Sequence, residues 1–126
     1  MAAPGSLSTQ RSYDETFELI TQWTGAGGAS LTKVQGRGVV SVVWTATGIF
    51  TVTFTDDLGG RLADVSGTTH SLATIQAMTW KANYATYDTA AKTIQVECWG
   101  VGGGVLVDPA ASSTVALRFT FYKNNS

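Results

Sequence analysis

The residues of this chain that could carry out acid–base or nucleophilic chemistry are few. The single histidine, His70, lies in the polar stretch Gly67-Thr-Thr-His-Ser71, so the sequence offers no second imidazole to share a metal ion. As a catalytic base, His70 would need an orienting carboxylate and a nearby nucleophile. The sequence favours a simpler interpretation, in which His70 is a solvated loop residue.

The aspartates allow two interpretations. Asp56 and Asp57 are adjacent, and neighbouring residues of an extended segment point to opposite faces, which suits neither a cation site nor an acid–base pair. Together with Asp64 they could still converge on one cation in a loop. Turn chemistry is favoured, because aspartate side chains bond nearby amides and two glycines follow shortly after. The same interpretation applies to Asp88 and Asp108.

The glycine run Gly100-Val-Gly-Gly-Gly104 does not predict a phosphate site. A dinucleotide fingerprint needs a following helix, whereas a short apolar segment and then Asp108-Pro109 follow here. The run indicates a flexible connector or a close approach of another backbone. Cys98 alternates in phase with Ile94 and Val96, so we expect it to be a small core side chain. We therefore expect no catalytic residues, no cofactor and no metal ion, and a protein that is not an enzyme.

Charge and composition limit the possible partners. The 126 residues carry 8 basic and 9 acidic side chains, and 13% of the residues are charged where about 25% is usual. Nucleic acid binding needs a clustered basic face, so we expect no nucleic acid partner. We expect no membrane partner either, because threonines interrupt the longest apolar run. With 19 Thr and 10 Ser, the surface should be built largely of hydroxyls, glycine and alanine.

The elements that must position these residues follow from a pattern of period two. In Ile49-Phe-Thr-Val-Thr-Phe-Thr55 the apolar residues face one way and the threonines the other, which predicts a half-buried strand. Residues 39–45 predict the strand before it, and Ala46-Thr-Gly48 joins the two in a hairpin. Further strands are predicted over residues 16–23, 31–35, 62–65, 72–82, 93–99 and 115–123.

About eight short strands without intervening helices indicate an all-β fold: an antiparallel β-sandwich, a jelly-roll-like fold or a small barrel. Residues 13–23 could instead form a helix, because Ser12-Tyr-Asp-Glu15 resembles a capping box. The β-branched residues and the glycines that follow favour a strand. Residues 1–12, in which Leu7 is surrounded by Pro, Gly, Ser and Thr, predict an N-terminal arm, and residues 13–126 a single β domain.

Four tryptophans are unusual in so short a chain. Trp23, Trp44, Trp80 and Trp99 each lie at or near the end of a predicted strand, and we expect one or two of them in the core. Trp99 is out of phase with the apolar residues of its strand, so it should face outward. Exposed aromatic side chains serve either as interface anchors or as stacking platforms for sugar rings.

One segment carries a longer pattern. Gly36-Arg-Gly-Val-Val-Ser-Val-Val-Trp-Thr-Ala-Thr-Gly-Ile-Phe-Thr-Val-Thr-Phe54 is similar to a hairpin, GxGVxSVxRxxxGxYTVTF, that occurs in small structural proteins of tailed-bacteriophage virions. Trp44 stands at the basic position of this pattern, and Phe50 stands at its tyrosine.

The end of the chain resembles the same group. Asp108-Pro-Ala110, the alternating strand after it and Lys123-Asn-Asn-Ser126 are similar to that group's DPA turn, strand and KNS-like tail. Lys92-Thr-Ile-Gln-Val96 fits its penultimate strand. The resemblance covers residues 36–126, although residues 58–91 match only in general character.

This resemblance implies a capsid decoration (cement) protein, a β-sandwich or jelly-roll-like unit that is often trimeric. The implied partners are the major capsid protein and further copies of the chain, in a homo-oligomer expected to be a trimer. The protein would sit on the capsid exterior of a virion assembled in the bacterial host cytoplasm, and would stabilise the shell by bridging capsomers. We expect Leu7, Trp44 and Trp99 to contribute contacts.

Three alternatives stay open at this point. The chain could be a glycan-binding module or tail-spike accessory in which Trp99 or Trp80 stacks on a sugar ring. It could also be a tail or neck component of the virion. A hydrolase is the least favoured, because no nucleophile, base and oxyanion set can be assembled from the sequence.

Overall fold

The computed structural model describes residues 16–56, 62–70, 75–76, 78–100 and 104–122. The predicted arm and its Leu7 therefore lie outside the described residues. The all-β prediction is confirmed, with nine strands in the described part of the chain, one of them of two residues. They are Thr16–Thr24 (β1), Thr32–Gln35 (β2), Val39–Ala46 (β3), Ile49–Phe54 (β4), Leu62–His70 (β5), Ile75–Gln76 (β6), Thr79–Asp88 (β7), Thr93–Trp99 (β8) and Thr114–Tyr122 (β9).

The strands form two separate antiparallel sheets. One sheet has the order β2-β1-β9-β5-β6 and the other β3-β4-β8-β7. The fold is consistent with a sandwich, and the small-barrel alternative is wrong because the two sheets do not close on each other. No helix long and apolar enough to cross a membrane is found in the described part of the chain.

Alternating side chains fill the space between the sheets, as the period-two pattern predicts. In β4 the buried residues are Phe50, Val52 and Phe54, while the threonines between them are half-buried on the outer face. Along β9 every second residue is fully buried in the same way. The core residues are Trp23, Leu31, Val39, Val42, Phe50, Val52, Phe54, Leu62, Val65, Trp80, Ile94, Val96, Cys98, Val115, Leu117, Phe119 and Phe121.

Segment 16–24 is a strand, as the β-branched residues favoured, and the helical alternative is wrong. β1 pairs with β9 over its whole length, from Thr16 opposite Tyr122 to Thr24 opposite Thr114. On its other side β1 pairs with β2. Full-length pairing with β9 satisfies one side of the backbone of this segment, which a helix could not offer to β9.

The prediction for residues 62–82 is wrong in its boundaries. β5 continues through the hydroxyl-rich stretch to His70, so His70 is the exposed last residue of a strand and not a loop residue. Gly67 fits inside this strand because the Trp80 ring occupies its side-chain space: a Cβ there would lie 2.7 Å from Trp80 Cδ1. The single strand predicted over residues 72–82 is replaced by β6 and by β7, which runs on to Asp88.

The three glycines of the hairpin pattern take backbone conformations that other residues rarely adopt. Gly36, Gly38 and Gly48 have φ angles of 120°, 89° and 70°. The first two turn the chain from β2 into β3, and the third lies in the turn between β3 and β4. The fixed glycines of the pattern are therefore explained by the geometry of the two turns.

Candidate interaction surfaces

Asp108 joins two distant segments of the chain through one carboxylate oxygen. Its Oδ1 accepts a hydrogen bond from the Trp44 indole Nε1 at 3.0 Å and another from the Gly48 backbone amide at 2.7 Å. These bonds fix the β3–β4 hairpin to the segment that precedes β9. The sequence predicted that Asp108 would bond nearby amides in its own turn, whereas these contacts are 64 and 60 residues away. Asp88 does behave as predicted, since its Oδ1 accepts from the Ala91 amide at 3.0 Å.

Trp44, predicted from the sequence to be an interface residue, is half-buried against the core. Its ring is held by Asp108, and its backbone amide donates to Ser30 Oγ at 3.0 Å. The exposed part of the ring is thus rigidly oriented. A contact of Trp44 with a neighbouring protein stays a prediction.

Trp99 lies on the outer face of the four-stranded sheet, out of phase with the buried residues of β8. Its Nε1 donates to Glu97 Oε1 at 3.2 Å, and Lys81 Nζ lies 5.9 Å from the ring centroid. The half-buried indole is held in place by two charged side chains from β7 and β8. A partner that contacts this ring would have to share it with Lys81.

The other two tryptophans are core residues. Trp23 is 1% and Trp80 3% exposed. The Trp80 ring lies 5.8 Å from that of Phe50, and its Nε1 is buried without a hydrogen-bond partner. The hypothesis that Trp80 stacks on a sugar is therefore wrong, because both faces of its ring are covered from inside the fold.

Among the described residues, the titratable candidates predicted from the sequence do not assemble into a metal site. Asp56 is exposed after β4, Asp64 is exposed within β5, and Asp57 lies outside the described residues. Among the residues that the structure describes, no group of three or more His, Cys, Asp or Glu side chains could hold a metal ion.

Cys98 is fully buried, as predicted, with its Sγ 3.4 Å from Met78 Sδ. Burial raises the pKa of its thiol from 9.0 to about 12, and the Asp108 carboxylate adds a smaller effect in the same direction. The thiol therefore stays protonated at neutral pH, and this side chain acts as a core residue and not as a nucleophile.

Ile20 projects from the outer face of the five-stranded sheet and is 59% exposed. It stands opposite Arg118 of β9 and is flanked by two shallow depressions of about 180 and 280 Å³. The floor between them is low because Ala116, which lines both depressions, has only a methyl side chain. Arg118 Nε contacts Glu18 Oε2 at 3.5 Å, so its charge is partly matched within the chain. We call this surface the Ile20 face.

A second apolar surface follows one side of the sandwich, where the edge strands β2 and β3 meet. Val34, Val40 and Val43 are 54%, 56% and 45% exposed there. The exposed basic residues Lys33 and Arg37 lie on the same side. We call this set of five residues the valine edge.

The backbone of the valine edge is already covered. The Leu31 amide donates to the Val42 carbonyl at 3.1 Å, and Lys33 Nζ donates to the Val39 carbonyl at 2.7 Å. These bonds blunt the free edge of β3, so side chains and not main-chain groups are available for contact.

The opposite side of the sandwich carries tyrosines. Tyr84 of β7 and Tyr122 of β9 are 51% and 46% exposed. The Tyr84 hydroxyl donates to the Ala63 carbonyl at 3.1 Å. Partial burial raises the pKa of Tyr84, and the nearby Asp64 carboxylate and Tyr122 hydroxyl raise it further. We call Tyr84, Tyr122 and Asp64 the tyrosine edge.

Sequence reasoning missed both edges. The alternation that identifies core faces fails at register shifts, and one lies between Val39 and Ser41, next to Val40. Tyr84 follows Asn83, where the pairing of β7 with β8 becomes irregular. The sequence did offer one signal for these surfaces. It is a large apolar residue at a position where the alternation of inward and outward residues in a strand is interrupted.

Comparisons with known protein families, with curated proteins and with solved structures found no match for this chain.

Proposed function

We propose that this chain is a non-enzymatic virion structural protein that decorates a bacteriophage capsid and stabilises it by bridging adjacent capsomers. It acts as a homo-oligomer, expected to be a trimer, on the exterior of the shell. The major capsid protein is its proposed partner. The resemblance of residues 36–54 and 108–126 to small virion proteins motivates this proposal.

One observation carries the proposal. The two segments that resemble virion proteins contact each other directly, because Asp108 of the second binds Trp44 and Gly48 of the first. Trp44 occupies the basic position of the hairpin pattern, so this position faces Asp108. A basic residue there would place a cation beside the carboxylate of the DPA turn, so the two patterns are parts of one structural unit.

The surface chemistry suits a subunit that is held among neighbours. Large apolar side chains are exposed at the Ile20 face and at both edges, in a chain of which 13% is charged. Hydroxyl-rich outer faces cost little to cover, because threonine and serine keep hydrogen-bond partners across a polar interface. We assign the Ile20 face to the capsid, since it combines one projecting aliphatic side chain with a low floor at Ala116.

Stabilisation would arise by mass action. Contacts that exist only in the assembled shell favour that state over expanded or dissociated shells. A protein that bridges two capsomers also gains from multivalency, because its second contact is intramolecular once the first is made. The predicted arm, residues 1–12 with Leu7, is proposed as an additional anchor.

The experiment uses purified protein and capsids that lack it. Co-sedimentation should show saturable binding, and electron microscopy should place the added density on the head. Ile20→Glu should abolish binding, while Val105→Glu, which changes an equally exposed aliphatic residue outside the Ile20 face, should leave it unchanged. Deletion of residues 2–12 measures the contribution of the arm. Density on the tail or neck, or no binding of the unmodified protein, would overturn the proposal.

A glycan-binding module is the second candidate, and one observation favours it. The half-buried Trp99 lies beside polar side chains of the same outer face, including Glu97 and Lys81. Aromatic rings flanked by hydrogen-bonding groups suit sugar rings. Titration of a glycan panel against the protein and its Trp99→Ala variant tests this, because only the unmodified protein should bind. Equal responses of the two proteins would exclude this surface.

A further inference from the structure

The two sides of the sandwich differ in a way that suits contact between copies. The valine edge combines exposed aliphatic side chains with Lys33 and Arg37, whereas the tyrosine edge combines exposed aromatic rings with Asp64. Aliphatic and aromatic side chains pack well together, and tyrosine is enriched at protein interfaces. The charges of the two edges are opposite in sign. Each edge is thus chemically complementary to the other and not to itself.

The Val40 part of the valine edge and the tyrosine edge lie at the same end of the sandwich, whereas Lys33 lies nearer the other end, opposite Trp23. Val39, at the start of β3, pairs with Phe54, whose ring centroid is 5.5 Å from that of Phe121. Phe121 in turn pairs with Leu62 at the start of β5, close to Asp64. This chain of contacts crosses the sandwich from the valine side to the tyrosine side at one level. Two copies placed side by side can therefore bring Arg37 and Val40 of one copy against Asp64 and Tyr84 of the next without sliding along the strands.

The backbone at each edge argues against strand addition. β3 is covered by residues 30–33, as described above. In β7, the Ala85 amide donates to Asn83 Oδ1 at 3.2 Å and Thr86 Oγ1 donates to the Asn83 carbonyl at 2.7 Å. These local bonds distort the strand beside Tyr84. The available contact is between side chains, which leaves the orientation of the partner to packing and charge.

We propose that copies of this chain associate head to tail, with the valine edge of one copy against the tyrosine edge of the next. Arg37 of one copy then faces Asp64 of its neighbour, while Val40 packs on Tyr84. A head-to-tail contact repeats in every copy and closes into a ring when the rotation allows it. The Ile20 face takes no part in this contact and stays free.

This association rests on the proposed function and names the surfaces through which the expected homo-oligomer forms. Its test uses purified protein without capsids, so that the head-to-tail association and the binding to capsids can fail separately. A ring that does not bind capsids would leave the association intact, whereas a monomer that still decorates capsids would overturn only the association.

The experiment measures mass in solution by light scattering and native mass spectrometry. The unmodified chain should have a mass that is a multiple of 13.3 kDa, three-fold for the expected trimer. Val40→Glu and Tyr84→Ala should each reduce it to the monomer. Circular dichroism checks that both variants remain folded, and Val105→Glu serves as the matched control with unchanged mass. A monomeric unmodified chain would overturn the proposal.

Mixing the two variants distinguishes head-to-tail from symmetric contacts. Each variant keeps one working edge, so an equimolar mixture of Val40→Glu and Tyr84→Ala should form a dimer and nothing larger. A symmetric contact of the valine edge with itself would instead leave Tyr84→Ala fully assembled, which contradicts the proposal.

The charges give an independent check that does not alter the apolar contacts. Arg37→Glu or Asp64→Arg alone should weaken association at least tenfold, and the double variant should regain most of it because every contact again pairs opposite charges. Failure of the double variant to recover would contradict the charge pairing. Both positions are exposed, so these changes should leave the fold intact.

Discussion

The Asp108 carboxylate accepts the indole N–H of Trp44 at 3.0 Å, across 64 residues of chain. The same oxygen accepts the backbone amide of Gly48, which lies at the turn of the hairpin that Trp44 belongs to. One carboxylate oxygen therefore accepts from two donors of the hairpin, an indole N–H and a backbone amide. This contact links the hairpin of the four-stranded sheet to the segment entering the central strand β9.

Removal of this carboxylate should destabilise the fold. Asp108→Ala leaves the Trp44 and Gly48 donors, both partly buried, without an acceptor, and each such loss costs about 1–3 kcal/mol. Asp108→Asn keeps a carbonyl oxygen and should lose less than half as much. Urea unfolding monitored by tryptophan fluorescence measures both. Asp56→Ala is the matched control, because Asp56 is exposed and its loss should change stability by less than about 0.5 kcal/mol. Equal stability of Asp108→Ala and the unmodified protein would show that the two bonds contribute nothing.

Gly67 is expected to reject any side chain. A Cβ at this position would lie 2.7 Å from Trp80 Cδ1 and 2.9 Å from Leu117 Cδ2. Gly67→Ala should therefore cost about 1–3 kcal/mol through overpacking of the core. Gly104→Ala is the matched control, since a Cβ there meets nothing within 4 Å. Thermal unfolding of the two variants should differ clearly, and similar melting temperatures would mean that the core relaxes around position 67.

Cys98 makes the free energy of unfolding depend on pH. Its pKa is 9.0 unperturbed and about 12 in the folded protein, so the folded state holds its proton where the unfolded state has lost it. The stabilising contribution is complete below pH 9 and is lost as the pH rises from 9 towards 12. Denaturant midpoints should fall over this range, and less steeply in Cys98→Ala. A thiol reagent at pH 8 should label the protein only after unfolding, and rapid labelling of the folded protein would contradict the burial.

The sequence could predict the strands whose two faces differ strongly. In β4 and β9 the inward residues are aromatic or aliphatic and the outward ones mostly hydroxyl-bearing, so burial of one face follows from the alternation alone. Only the first part of β5 was predicted, because the outward residues of its second part are polar and its inward Gly67 has no side chain. Its continuation to His70 follows its pairing with β9, which reaches Thr114 opposite His70, and the Trp80 ring of the other sheet fills the space at Gly67.

The candidate surfaces were harder to predict for the same reason. Trp99 could be placed on an outer face because β8 alternates without interruption. Val40 and Tyr84 could not, because both lie where the pairing changes register, and register depends on the partner strand. The Trp44–Asp108 contact joins two segments whose sequences say nothing about each other.

The basic position in the hairpin pattern leads to the last expectation. Trp44 stands where that pattern has a basic residue, and the structure places this position beside Asp108. Trp44→Ala should cost about 2–3 kcal/mol, because it removes both the hydrogen bond and the packing of a half-buried ring. Trp44→Arg should cost only about 1 kcal/mol, because the arginine stem can cover the core edge while its guanidinium donates to the carboxylate.

A double-mutant cycle with Asp108→Ala separates these two effects. The advantage of Arg over Ala at position 44 should largely disappear when the carboxylate is absent, since an unpaired guanidinium gains nothing from the site. Chemical unfolding of the four single and double variants measures the coupling. If Trp44→Arg is as destabilising as Trp44→Ala while Asp108 is present, the basic residue of the pattern does not serve this contact. The expected pairing of a basic residue with the DPA aspartate, on which the capsid proposal draws, would then be lost.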